Sequence, residues 1–243
     1  MACAAAWPQA PGQTQWIVSY EPSTADTQFD GHGRANIPLG TWDQTDVSIY
    51  ADHGLTKRLS LTAKINFQDY KTVSTHFSGV GSVEIGARWT VHKGEDFVFA
   101  LGASAEGLGK GRRSDFDAPG AKAGTDYDLR AYFGKGFKLG KRDAFVNIEA
   151  ARHLRQYDTD QWRVDSTFGL KPSSQWMILA QSFAGQTDKL AGSQARWNNV
   201  QLSLVRSFGP HQKTSLQLGA RQTVTGRNVP RANAVVLSLW KTF

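Results

Sequence analysis

Few residues in this chain combine the type and spacing that chemistry needs. The stretch "THFSG" puts His76 and Ser78 two residues apart. In an extended segment such residues share a face, so a serine nucleophile with a base in reach is sterically allowed. No third group to orient the histidine is identifiable, and Gly-x-Ser-x-Gly does not occur. An outer-leaflet lipid hydrolase is therefore an alternative only, with no residue assigned as catalytic. His32, His53, His76, His92, His153 and His211 show no metal-ligand spacing, and "GLGKGRR" lacks the phosphate-loop pattern. Cys3 is the single cysteine, which excludes an internal disulfide and a CxxC site. No metal and no cofactor is expected.

The net charge of +7 allows anionic partners of several kinds. The basic residues are scattered singly, without a run of five and without a helix-turn-helix or finger pattern, so nucleic acid is not expected as a partner. The opening "MACAAAWPQAPGQ" has the small residues of a processed secretory leader, or of a lipoprotein start in which Cys3 carries the lipid. No window approaches eighteen apolar residues, so no transmembrane helix is expected. A transmembrane β-strand needs only about ten residues of alternating character, and a chain built from such strands looks soluble on average.

Alternation is what positions these residues. In "LSLTAKINF", Leu59, Leu61, Ala63, Ile65 and Phe67 share one face, and Ser60, Thr62, Lys64 and Asn66 the other. "VEIGARWTV", "YDLRAYFGKGF" and "WRVDSTFGL" repeat the pattern, which fits strand spacing and not helical spacing. Turn signals divide the chain into twelve strands: 14–24, 43–53, 59–69, 80–92, 96–107, 126–137, 143–155, 160–171, 175–184, 194–208, 213–225 and 233–243. Short connectors ("HKGE", "KLGKR", "KPSSQ") alternate with long ones ("DTQFDGHGRANIPLGTW", "LGKGRRSDFDAPGAKAGT"). That asymmetry predicts an all-β, transmembrane, antiparallel up-and-down β-barrel of about 12 strands over 14–243, with long extracellular loops, short periplasmic turns and 1–13 as an N-terminal periplasmic segment. A soluble sandwich also alternates, but its exposed face is rich in Lys and Glu, whereas here that face carries Gly, Ser, Thr, Asn and opposite charges close together. Aromatics near strand ends, among them Trp16, Trp42, Trp89, Tyr127, Trp162, Trp176, Trp197 and Phe208, are expected to form the two interfacial girdles. The final strand ends on Phe243, like the insertion signal that barrel-assembly machinery reads. Lys241 departs from that signal and is expected to snorkel.

The segments "GLTKRLSLTAKINFQ" and "GVGSVEIGARWTV", together with "LQLGARQTVTGRNVPRANAVVLSLWKTF", resemble outer-membrane barrels of proteobacteria. These include the family labelled for the meta-pathway of phenol degradation and its uncharacterised alphaproteobacterial relatives. The resemblance implies barrel architecture and an outer-membrane location in a Gram-negative cell, and loosely implies solute passage.

With the apolar face toward lipid, the lumen receives Lys64, Glu84, Arg88, Arg130, Glu149, Arg163, Asp165 and Arg221, joined by His153 and Arg155 near the outer mouth. Guanidinium groups match carboxylate or phosphate bidentately, so Arg88, Arg130, Arg163 and Arg221 are the candidates for contact with an anionic solute. Lys110, Arg112, Arg113 and Lys122 of the long third loop are candidates for lipopolysaccharide. The expected role is passive passage of small polar or anionic solutes through a monomer. A closed barrel acting as an anchor or partner of a periplasmic or secretion complex is a further alternative.

Overall fold

The computed structural model describes residues 6–108, 124–190 and 193–243. The elements in chain order are β1 (Thr14–Thr24), β2 (Thr27–Phe29), β3 (Ala35–Pro38), β4 (Trp42–Gly54), β5 (Leu59–Thr72), β6 (His76–Lys93) and β7 (Phe97–Leu108). There follow β8 (Thr125–Leu139), β9 (Arg142–Leu154), β10 (Gln161–Lys171), β11 (Trp176–Thr187), β12 (Arg196–Phe208), a 3-10 turn (Pro210–Gln212), β13 (Thr214–Arg227), β14 (Val229–Pro230) and β15 (Asn233–Thr242). Twelve of these strands, 10 to 18 residues long, close into one antiparallel barrel in which β1 pairs with both β15 and β4. Closure leaves no edge strand, so every backbone donor and acceptor in lipid can be satisfied by a neighbour.

Side chains alternate as the sequence predicts. Leu61, Ile85, Leu101, Leu129, Leu202, Leu218 and Leu237 stand exposed on the outer surface, a belt that only lipid can cover without cost. The short turns and both ends of the barrel sequence lie at one end, the longer loops at the other. Trp16, Trp89, Trp162 and Trp176 face outward near strand ends, as girdle residues do. Trp42 and Trp197 do not. Both occupy the inward parity of their strands: Trp42 is buried against Tyr70 and Ala25, and Trp197 lies over Gly185 inside the barrel.

The first long loop holds structure that no local period announces. β2 pairs with β3 and with β14, a strand 200 residues further on, and this small sheet buries Phe29 and Val229 over the outer mouth. Asp30 ties the β2–β3 turn by accepting bonds from the His32 and Arg34 amides and from the Arg34 guanidinium. The Arg34 amide chiefly, with the His32 amide and the guanidinium, draws its carboxyl from 3.8 down to about 2. A depressed carboxyl supports the turn above its unfolded pKa and loses that support as pH falls through the folded value. Proteolysis of this loop is therefore expected to stay constant from pH 7 to pH 4 and to rise near pH 2; Asp30→Asn should show the faster cleavage already at pH 7.

Candidate functional site

Alternation sends one set of side chains inward, and closure of the barrel brings together residues far apart in sequence. Between the rims the inward carboxylates are Glu21, Asp46, Asp52, Glu84, Glu106, Asp126, Asp128, Glu149 and Asp165. The inward cations are Lys64, Arg88, Arg130, Arg155, Arg163 and Arg221. With His153 counted as neutral, carboxylates outnumber cations by three inside a chain whose net charge is +7. The positive excess therefore sits on the rims and loops.

One wall of the lumen, from β7 to β10, is an ionic network. Arg130 sits at its centre: Nε donates to Asp128 Oδ1 at 3.0 Å, and Nη1 to Glu149 Oε2 at 2.8 Å and Asp165 Oδ2 at 3.2 Å. Register explains the convergence, since Glu149 lies directly across from Tyr132 on β8 and from Asp165 on β10. Nearer the outer mouth, His153 lies 3.5 Å from both Asp126 and Asp128 and 3.9 Å from Glu106. Arg155 reaches Asp126 at 3.5 Å and Asp158 at 3.2 Å. The facing wall is neutral apart from Arg221. On β11–β13, Gln201 Nε2 donates to Gln181 Oε1 and Ser203 Oγ, and Gln217 Nε2 donates to the same serine.

The anion-binding candidates fare differently from one another. Arg88 Nη2 donates to Asp52 Oδ2 at 2.7 Å, with both side chains 2% exposed, so this pair serves the wall and not a solute. Arg130 is compensated by three carboxylates, and Arg221 is paired with Glu21. Arg163 donates to Gln161 Oε1 at 3.0 and 2.7 Å and has no carboxylate within 4 Å among the described residues. Lys64 faces inward yet is exposed, opposite Glu84, and neither forms an ion pair among the described residues. Lys64 and Arg163 are thus the uncompensated lumen cations. Cys3, Lys110, Arg112, Arg113 and Lys122 lie outside the described residues.

His76 and Ser78 both point away from the barrel, and His76 Nε2 lies 3.5 Å from Asp69 Oδ1 on the neighbouring strand. Ser78 forms no hydrogen bond to either among the described residues. Phe243 is exposed, and its amide extends the β1–β15 seam by donating to the Thr14 carbonyl at 2.9 Å. The Lys241 ammonium reaches Thr214 Oγ1 at 3.0 Å and lies 5.8 Å from the Phe243 ring centre.

Sequence reasoning missed the residues that fill the short-turn end. The chain preceding β1 enters the barrel there: Gly12 N–H donates to the Gly54 carbonyl at 2.8 Å, and Gly54 N–H to the Gln13 carbonyl at 3.0 Å. Ala6, fully buried, donates its amide to Asn147 Oδ1 at 3.1 Å, and the Trp7 carbonyl accepts from Arg88 Nη2 at 3.4 Å. The Trp7 indole meets Phe145 edge-on at 6.3 Å and lies over Gly134, where any Cβ would collide with the ring. Phe145 and Trp240 pack on Met177, Leu179 and Val205 as an apolar floor beside it. Two small hollows lie among the described residues: about 50 Å³ beside Met177 and Trp240, and about 20 Å³ beside Glu21 and Arg221. Such volumes hold a water or two.

No family model matches the chain, and no curated protein matches it. Solved structures share its architecture. The COG4313 outer-membrane channel from Pseudomonas putida F1 aligns at TM-score 0.69 and 15% identity over 100% of both chains. The NanC porin aligns at 0.60 and 9%, covering 92% of this chain and 98% of its own. The KdgM porin, solved in complex with disordered oligogalacturonate, aligns at 0.51 and 10%, covering 93% and 99%. This is the outer-membrane β-barrel fold. Identities this low carry the fold alone, and the likeness to the phenol-degradation family has no family match behind it.

Proposed function

We propose that the chain is an outer-membrane channel for small polar solutes, closed in this conformation by its own N-terminal segment. The observation that carries this reading is the entry of residues 6–13 into the lumen, where Ala6 and Trp7 meet Asn147, Arg88 and Phe145. A barrel meant only as an anchor could fill its lumen with strand-borne side chains, as eight-stranded barrels do. Here the filling at the short-turn end includes a separate segment, which meets the strands through the Ala6 amide, the Trp7 carbonyl and the Trp7 ring. The structural likeness to the COG4313 channel and the two porins supports the same reading and an outer-membrane location.

The charge balance argues against the anionic preference that +7 suggests. Oligogalacturonate is a polyanion, and a lumen with more carboxylates than cations repels such a ligand and favours cations or neutral polar solutes. In planar bilayers under a tenfold salt gradient, the reversal potential should lie on the cation side. Lys64→Glu and Arg163→Glu should each move it further toward the limit of about 59 mV for a perfectly selective monovalent pore. An anion-sided reversal potential in the unmodified protein would overturn the charge assignment. Silence from both the full chain and an N-terminally truncated one would overturn the channel and leave the closed-barrel anchor.

A further inference from the structure

We infer that the outer surface of β12, β13 and β15 at the short-turn end binds one anionic phospholipid, with Arg206 and Lys241 holding its phosphate and the groove above them seating an acyl chain.

Arg206 lies on the lipid-facing side of β12, directly across from Trp176 on β11. Its guanidinium sits 5.2 Å from the Trp176 ring centre and 5.0 Å from that of Phe208. Two rings cover the apolar stem and fix the direction of the head group, so little side-chain entropy remains to be lost on binding. No carboxylate lies within 4 Å of Arg206 or Lys241 among the described residues. Lys138 at the same end is paired with Asp143 at 2.5 Å and Lys135 faces Asp96 at 3.9 Å, while Lys171 and Lys213 form no ion pair among the described residues, so the two rings over Arg206 are what mark this site.

β13 alone separates β12 from β15, and Arg206 is level with Leu239, two residues from Lys241, so the two Cα atoms stand roughly 12 Å apart and the long side chains must converge to share one phosphate. A groove of about 600 Å³ rises from Arg206, walled by Val18, Leu204, Leu216, Leu218, Leu237 and Leu239, and Lys241 stands just outside it beside Thr14, Trp16 and Phe243. Phosphate matches guanidinium bidentately. The two cations select for net charge as well. A zwitterionic head group brings an ammonium that finds only like charge here, whereas a phosphatidylglycerol-type head group brings none. Short turns face the periplasm in barrels of this kind, which places the site in the leaflet made of phospholipid.

The test is native mass spectrometry of the full-length barrel in detergent, with phosphatidylglycerol and phosphatidylethanolamine of identical chains in competition. The glycerol lipid should be retained preferentially, and Arg206→Gln and Lys241→Gln should each cut that preference about fivefold. Lys138→Gln, at the same end, should leave it unchanged. Inorganic phosphate should not displace the lipid if the groove contributes; displacement would reduce the site to a bare anion contact. Equal retention of the two lipids, or an unchanged preference in Arg206→Gln, overturns the proposal. Should Arg206→Gln fail to fold, as judged by heat-modifiable migration, Arg206→Lys keeps the charge without the bidentate fork and must still weaken the preference.

Discussion

Deletion of residues 1–11 is expected to raise single-channel conductance on the order of tenfold, taking a near-silent barrel to discrete steps. The contacts described for Ala6 and Trp7 are each modest. The Ala6–Asn147 hydrogen bond contributes about 1 kcal/mol. The Arg88–Trp7 contact, at 3.4 Å, lies beyond the best distance range and adds less. Half-burial of the Trp7 ring is worth about 1–2 kcal/mol. A hold of a few kcal/mol keeps the closed state dominant while leaving the open state within reach of thermal opening. Trp7→Ala removes the largest single part and should lengthen the open dwell time without altering fully open conductance. The ionic network is carried by β8–β10 and remains in both variants, so ion selectivity should survive the deletion. Unchanged conductance after deletion would mean that Arg130 and its carboxylates close the lumen by themselves.

Breaking the Arg88–Asp52 pair from one side should destabilise the barrel by about 3–5 kcal/mol. Both side chains are 2% exposed, so Arg88→Leu leaves a carboxylate, and Asp52→Leu a guanidinium, in a site that water hardly reaches. The attraction between the two charges barely repays their desolvation, and removing either partner takes that repayment from the other. The double variant, Arg88→Leu with Asp52→Leu, should therefore recover most of the loss. Urea unfolding in lipid vesicles, followed by tryptophan fluorescence, provides the cycle. Additive single effects would contradict direct pairing. Arg88 also donates to the Trp7 carbonyl, so Arg88→Leu should open the channel more often than Asp52→Leu at equal stability.

How much of this was legible beforehand depends on the distance over which each feature is determined. The span of β1 is the one that alternation predicts, 14–24, and the other barrel strands agree to within a few residues at each end. A strand's period is written in its own ten residues, because successive side chains must point to opposite faces. The same period sorts Lys64, Glu84, Arg130, Glu149, Arg163, Asp165 and Arg221 to the inside. It also sends Trp42 and Trp197 inward; nearness to a strand end is not enough to place an aromatic in a girdle.

Ion pairing was not legible, because it depends on register between strands and on closure of the barrel. Glu21 finds Arg221 only because β1 and β13 flank β15, and Asp52 finds Arg88 only across β5. From composition the interior could have been of either sign. Nor did any motif mark Ala6 and Trp7, since their partners come from two strands far apart in sequence, Arg88 from β6 and Phe145 and Asn147 from β9. The sequence by itself determined the strands, their faces and hence a barrel, since each is a local property of the chain. Which charges cancel, which stay free and what fills the lumen were decided by tertiary structure, because those contacts exist only after twelve strands have closed in a single register.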